Sequence, residues 1–157
     1  MLINHLSDFD GSRCTLTYDE AGHWLRATWS GFVDVWEAQR GAQNYLNQLE
    51  TIRCAYLLND NSPMQGPWFD SLDWVRLVWA PEAARMGLRY LAHVVQANTL
   101  HDVLTDTLVP LDCEFELQVF QTVAEAEAWL RACQASGGAT NRLAAAAEAA
   151  ERAAEAS

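Results

Sequence analysis

Three aspartates fall close together in the stretch Tyr56–Trp74, "YLLNDNSPMQGPWFDSLDW". Asp60 ends an apolar run, and Asp70 and Asp73 follow across a loop rich in Asn, Ser, Pro and Gly. Paired carboxylates divide acid and base work when their surroundings push their pKa values apart, so Asp60 or Asp70 is a candidate acid or base. The local reading is stronger. Asp60 terminates a strand, and Asp70 and Asp73 complement the dipole of a helix in its first turns. No Gly-x-Gly-x-x-Gly, Walker loop, Gly-x-Ser-x-Gly or His-Glu-x-x-His accompanies them, which weakens nucleotide, hydrolase and zinc-protease chemistry together. The reading is therefore of a non-catalytic chain, with no cofactor and no metal expected.

The other candidate residues gather around the same loop. Ligands of parallel sheets bind outside the carboxyl ends of the strands. Asn59-Asp60 and Gln96-Ala97-Asn98 sit at two such ends. Asn59, Asp60, Asp70 and Asn98 would give polar contacts there, and Met64 and Trp68 apolar walls. His93 lies inside the apolar run "YLAHVV" and reads as a hydrogen-bonded core histidine. Of the seven tryptophans, Trp68 and Trp79 fit a core stripe, whereas Trp36 and Trp74 lie off the stripes of their helices. Exposed Trp is favoured at interfaces, so these two are the candidate contact residues.

The elements that must position these residues are legible from periodicity. Cys14, Leu16 and Tyr18 alternate with threonines, and Leu25, Ala27 and Trp29 alternate with Arg26 and Thr28. Both read as half-buried strands, joined through Asp19–Gly22 as a hairpin. Asp34 with Glu37 makes a capping box for a helix over about 34–50, striped by Ala38, Ala42, Tyr45, Leu46 and Leu49. The run 54–58 and the run 90–95 read as strands buried on both faces. Trp68, Leu72, Val75 and Trp79 recur at helical spacing, Pro81 restarts or kinks that helix, and Gly87 caps it. A short helix is expected from Leu100 to Leu108, and an edge strand over 115–119. Thr122 with Glu125 caps a last helix carrying Ala126, Trp129, Leu130 and Cys133. Ser136-Gly137-Gly138 is expected to end it, leaving an Ala-rich tail over 137–157 outside a domain of residues 1–136. A further strand is possible within Leu2–Leu6. Strands alternating with helices specify an α/β fold: a mixed, mainly parallel sheet with an N-terminal antiparallel hairpin, packed against about four helices.

Composition narrows the partners. The chain has 157 residues, enough to bury a core without disulfide or metal. Its 10 basic residues stand against 21 acidic ones, a net charge of −11. No Lys/Arg cluster exists to displace counterions from a phosphate backbone, which excludes general nucleic-acid binding. Anionic membranes are disfavoured for the same reason. No apolar run is long enough to span a bilayer, and Met1–His5 does not begin a signal peptide. Cys14, Cys54, Cys113 and Cys133 form no Cys-x-x-Cys pair and read as reduced thiols of a cytoplasmic protein.

The stretches "LRATWSGFVDVWEAQRGAQNYL", "CAYLLNDNSPMQGPWFDSLDWVRLVW", "GLRYLAHVV" and "VFQTVAEAEAWL", taken in order, resemble the STAS/SpoIIAA-like superfamily, particularly its bacterial STAS/SEC14 branch. The resemblance implies a small sheet packed against helices and a mostly non-enzymatic interaction role. In the anti-sigma-factor antagonists of that superfamily, a serine in an Asp-Ser-Ser-Gly segment is phosphorylated at a helix start. Asp70-Ser71 occupies a comparable place, which makes Ser71 a candidate phosphosite. Leu72 and Asp73 then depart from the pattern, and Asp70 and Asp73 would repel a phosphate. Three functions remain, in order: a protein-interaction domain acting as a homodimer or with another protein; a binder of a small apolar ligand at the carboxyl-edge loops; and an enzyme using Asp60 or Asp70.

Overall fold

In the computed structural model, the described residues are 1–7, 11–65, 72–96 and 114–155. Alternating apolar positions build strands β1 (Leu2–Ser7), β2 (Arg13–Asp19) and β3 (Trp24–Phe32), paired antiparallel in sequence. From β3 onward the sheet is parallel: β4 (Tyr56–Asp60) lies beside β3, β6 (Tyr90–Val94) beside β4, and β7 (Glu116–Phe120) at the edge. A two-residue strand, β5 (Met64–Gln65), adds to the end of β3 at Gly31 and Phe32. The fold is α/β: among the described residues, a mixed seven-stranded sheet with an antiparallel N-terminal hairpin and four helices.

Helix α1 (Val35–Leu49) starts as its capping residues demand. The Asp34 carboxylate accepts from the Glu37 backbone N–H at 2.9 Å, and Glu37 Oε2 accepts from the Asp34 N–H at 3.1 Å. Helices α2 (Leu72–Trp74) and α3 (Ala80–Arg85) join through a π-turn at Val75–Trp79, where the Ala80 N–H reaches back to the Val75 carbonyl. Pro81 follows at once. A proline inside a regular α-helix clashes with the carbonyl four residues earlier, and the wider turn is where this segment relieves that conflict. Gly87, at φ 114°, closes α3 in a Schellman motif: its own N–H bonds the Ala84 carbonyl and the Leu88 N–H bonds the Ala83 carbonyl.

The side-chain period of two divides the core between the sheet's two faces. One face carries Leu16, Leu25, Ala27, Trp29, Leu57 and Leu91 against Tyr45, Leu46 and Leu49 of α1 and against Trp79 and Ala83. The other carries Trp24, Leu58, Ala92 and Val94 against Ala126 and Leu130 of the last helix, α4 (Val123–Glu155). Gln134 of α4 also donates to the Gly22 carbonyl at 2.6 Å, tying that helix to the β2–β3 turn.

Three expectations change. The strand expected over 54–58 runs over Tyr56–Asp60, so Asn59 lies inside it, while Asp60 ends it as expected. Both residues pair in register with Ala27 and Thr28, and each side chain finds partners inside the protein. Leu2–Ser7 does form a strand, and β5 is new. Gly137-Gly138 does not end the last helix, which continues to Glu155. Each glycine costs about 1 kcal/mol against alanine in a helix, a penalty that the surrounding alanines, the best helix formers, offset. The helix expected over 100–108 falls outside the described residues.

Candidate functional site

The sheet face under α1 does not pack solidly. Between it and α1, the π-turn and Trp79 lies a cavity of about 50 Å³. Ala27, Leu57 and Leu91 come from the strands, Gly41, Ala42 and Tyr45 from α1, and Val75 and Trp79 from the π-turn. Trp29, Asn59 and His93 complete the wall toward the carboxyl ends of β3, β4 and β6. Gly41 is the residue that lets α1 lie this close. A Cβ at that position would come within 2.5 Å of the Trp29 ring and 3.1 Å of the Cys14 sulfur.

The polar wall is an ordered chain of hydrogen bonds. Trp29 Nε1–H, which can only donate, reaches Asn59 Oδ1 at 2.8 Å. That fixes the Asn59 amide, so its Nδ2 donates to His93 Nδ1 at 3.0 Å and approaches Asn61 Oδ1 at 3.2 Å. Nδ1 of His93 is then an acceptor, which places the proton of the neutral ring on Nε2. Trp79 Nε1 is also occupied, donating to the Ala42 carbonyl at 3.1 Å. Tyr45 differs. It is 2% exposed, its ring centroid is 5.7 Å from that of Trp79, and its hydroxyl has no hydrogen-bond partner among the described residues. Burial pushes its pKa well above the usual tyrosine value, so the hydroxyl keeps its proton.

Asp60 stands one residue from Asn59 and so faces the other side of the sheet. It is 2% exposed and fully occupied. Oδ2 accepts from Arg26 at 2.8 Å, and Oδ1 accepts from the Ser62 N–H at 3.0 Å and the Ser62 hydroxyl at 2.6 Å. The Ser62 bonds close an Asx turn at the strand's end, the structural role its position suggests. Met64 is buried in the main core beside β3 but does not line the cavity. Trp68, Asp70, Ser71 and Asn98 fall outside the described residues. Among the described residues, Asn59 is thus the one loop candidate that the structure brings to the cavity.

Trp36 and Trp74 meet elsewhere. They line one open groove of about 500 Å³ with Asp34, Gln39, Arg40 and Gln43. Trp36 is 76% exposed, while Trp74 packs partly into the main core. Leu77 and Val78 of the π-turn are also exposed.

Sequence reasoning missed Tyr45 as a site residue because its helical spacing marks it only as core stripe. Trp29 and Gly41 were invisible for the same reason. The signal that sets them apart is a void and an unspent hydroxyl, and neither is a property of spacing. Cys14, Cys54 and Cys133 are free thiols, and burial drives the Cys14 thiol up to about 12. Among the described residues no group of three or more His, Cys, Asp or Glu could hold a metal ion. None of the described helices is long and apolar enough to cross a membrane. No family model, curated protein or solved structure matches the chain.

Proposed function

We propose that this chain is a non-catalytic binding domain whose site is the cavity under α1. One observation carries the reading: an apolar void that closes, at the carboxyl ends of three parallel strands, on an ordered Trp29–Asn59–His93 hydrogen-bond chain. Binding sites are mostly apolar with a few fixed polar groups, and in open parallel sheets they lie at the carboxyl ends of the strands. Of the stretch's carboxylates among the described residues, Asp60 is spent on Arg26 and Ser62, and Asp73 is exposed in the first turn of α2 beside Arg76, which speaks for binding over acid–base chemistry. Native mass spectrometry of the freshly purified protein, with thermal-shift screening against small organic molecules, tests this. A small adduct or a Tm increase supports the reading; a clean apo mass with no Tm response to any compound removes it.

A second reading is favoured by a different observation. The STAS-like, protein-interacting role implied by the sequence resemblance, with self-association as a homodimer, would use the exposed Trp36 groove and the neighbouring apolar Leu77 and Val78. The three free, buried or half-buried thiols suit the cytoplasmic setting of that role. Light scattering at micromolar concentration tests it. A dimer that Trp36→Ala dissociates supports this role, and a strict monomer that engages no protein partner sinks it.

A further inference from the structure

We propose that the cavity takes a small, neutral organic molecule carrying one carbonyl or hydroxyl oxygen, and that the Tyr45 hydroxyl donates a hydrogen bond to that oxygen. This inference rests on the binding role proposed for the cavity and adds what the cavity recognises.

Size comes first. The void measures about 50 Å³, well above the roughly 10–15 Å³ one water needs and about a third of the 150 Å³ of a dry apolar cavity that takes benzene. The occupant is therefore smaller than benzene, with about three to five non-hydrogen atoms. Charge comes second. Among the described residues no Asp, Glu, Lys or Arg lines the cavity, so an ion would lose its hydration and gain no counter-charge. Polarity decides the rest. Trp29 Nε1 is committed to Asn59, Trp79 Nε1 to Ala42, and Asn59 to Trp29, His93 and Asn61. Tyr45, buried and lining the same space, carries a hydroxyl that has no partner among the described residues. Buried hydroxyls are nearly always hydrogen-bonded, and this one holds its proton because burial disfavours the phenolate. A buried water typically makes about three hydrogen bonds. One unspent hydroxyl on a mainly apolar wall suits a molecule with one oxygen and an alkyl remainder better than it suits water.

The test uses the full chain and its Tyr45→Phe variant, which deletes the hydroxyl and leaves the ring. Two probes are followed by NMR: hyperpolarised xenon, which reports an accessible apolar void, and 2-butanone labelled with carbon-13 at the carbonyl. Xenon is expected to bind both proteins. Butanone is expected to bind the wild type with a downfield carbonyl shift, and about tenfold more weakly to Tyr45→Phe. Equal butanone affinity in the two proteins, with xenon bound to both, overturns the role of Tyr45 and leaves the binding cavity standing. Absence of both probes from the wild type overturns the cavity itself and this inference with it.

Discussion

The indole N–H of Trp29 on β3 is held at 2.8 Å by Asn59 on β4, and Asn59 in turn holds His93 on β6 at 3.0 Å. One amide thus links the side chains of three adjacent parallel strands. It also keeps the polar ends of two buried rings at one end of the cavity.

Removing that amide strands both rings. In Asn59→Ala the Trp29 N–H and the Asn59-facing nitrogen of His93 lose a buried partner, and each such loss costs about 1–3 kcal/mol. The expected destabilisation is about 2–4 kcal/mol, read as a lower urea midpoint with an unchanged m-value. A midpoint equal to wild type would show that the linkage contributes nothing to folding.

Gly41→Ala should destabilise, against the rule for a glycine inside a helix. The propensity gain is about 1 kcal/mol. The new methyl would lie 2.5 Å from a Trp29 ring that Asn59 fixes in place, and overpacking of this kind costs about 1–3 kcal/mol. A net loss of about 1 kcal/mol is expected in denaturant melts; a stabilised variant would mean that the Trp29 ring yields.

Asp60→Asn separates the two sides of the sheet. It weakens a buried ion pair with Arg26, so stability should fall by about 1–3 kcal/mol. Because Asp60 faces away from the cavity, xenon and butanone binding should be unchanged. Loss of probe binding in a folded Asp60→Asn protein would place Asp60 in the site after all.

Alkaline pH should cost stability through Cys14. Its ordinary pKa of 9.0 is raised to about 12 in the folded protein by burial. Below pH 9 both states keep the proton and the contribution is constant. Between pH 9 and 12 the unfolded thiol ionises while the folded one does not, so stability falls by about 1.4 kcal/mol per pH unit for this group. Urea melts at pH 8, 9.5 and 11 on wild type and Cys14→Ala check this; the variant should show the shallower decline, and parallel declines would refute it.

Trp36→Ala should leave stability within about 0.5 kcal/mol, since the ring is 76% exposed. Trp74→Ala should cost more, because its ring packs against the main core. Guanidinium melts of the two variants decide, and equal effects would mean that the two rings contribute alike.

Local patterns carried most of the architecture. The alternation of Leu25, Ala27 and Trp29, the Asp34–Glu37 capping box and the Gly87 cap each report an interaction within a few residues. They are therefore readable without the fold. The sequence also determined that Asn59 would come to the carboxyl end of a buried strand and that His93 would lie inside another as a hydrogen-bonded core residue, because a continuous apolar run allows little else. It placed the β4 strand at 54–58, short of Asn59 and Asp60, and misread Gly137-Gly138 as an end, since both depend on what neighbours supply: partners for two polar side chains in one case, helix-forming alanines in the other.

Only the tertiary structure decided that Asn59 and Asp60 part company, one toward the cavity and one toward Arg26 on the opposite face. Strand register sets that, and register is fixed by pairing with β3 and β6 rather than by the run itself. Only the tertiary structure, too, separated Tyr45 from the other apolar positions of α1. A void forms where helix and sheet fail to fill space between them, and an unspent hydroxyl is known only once every possible partner has a place.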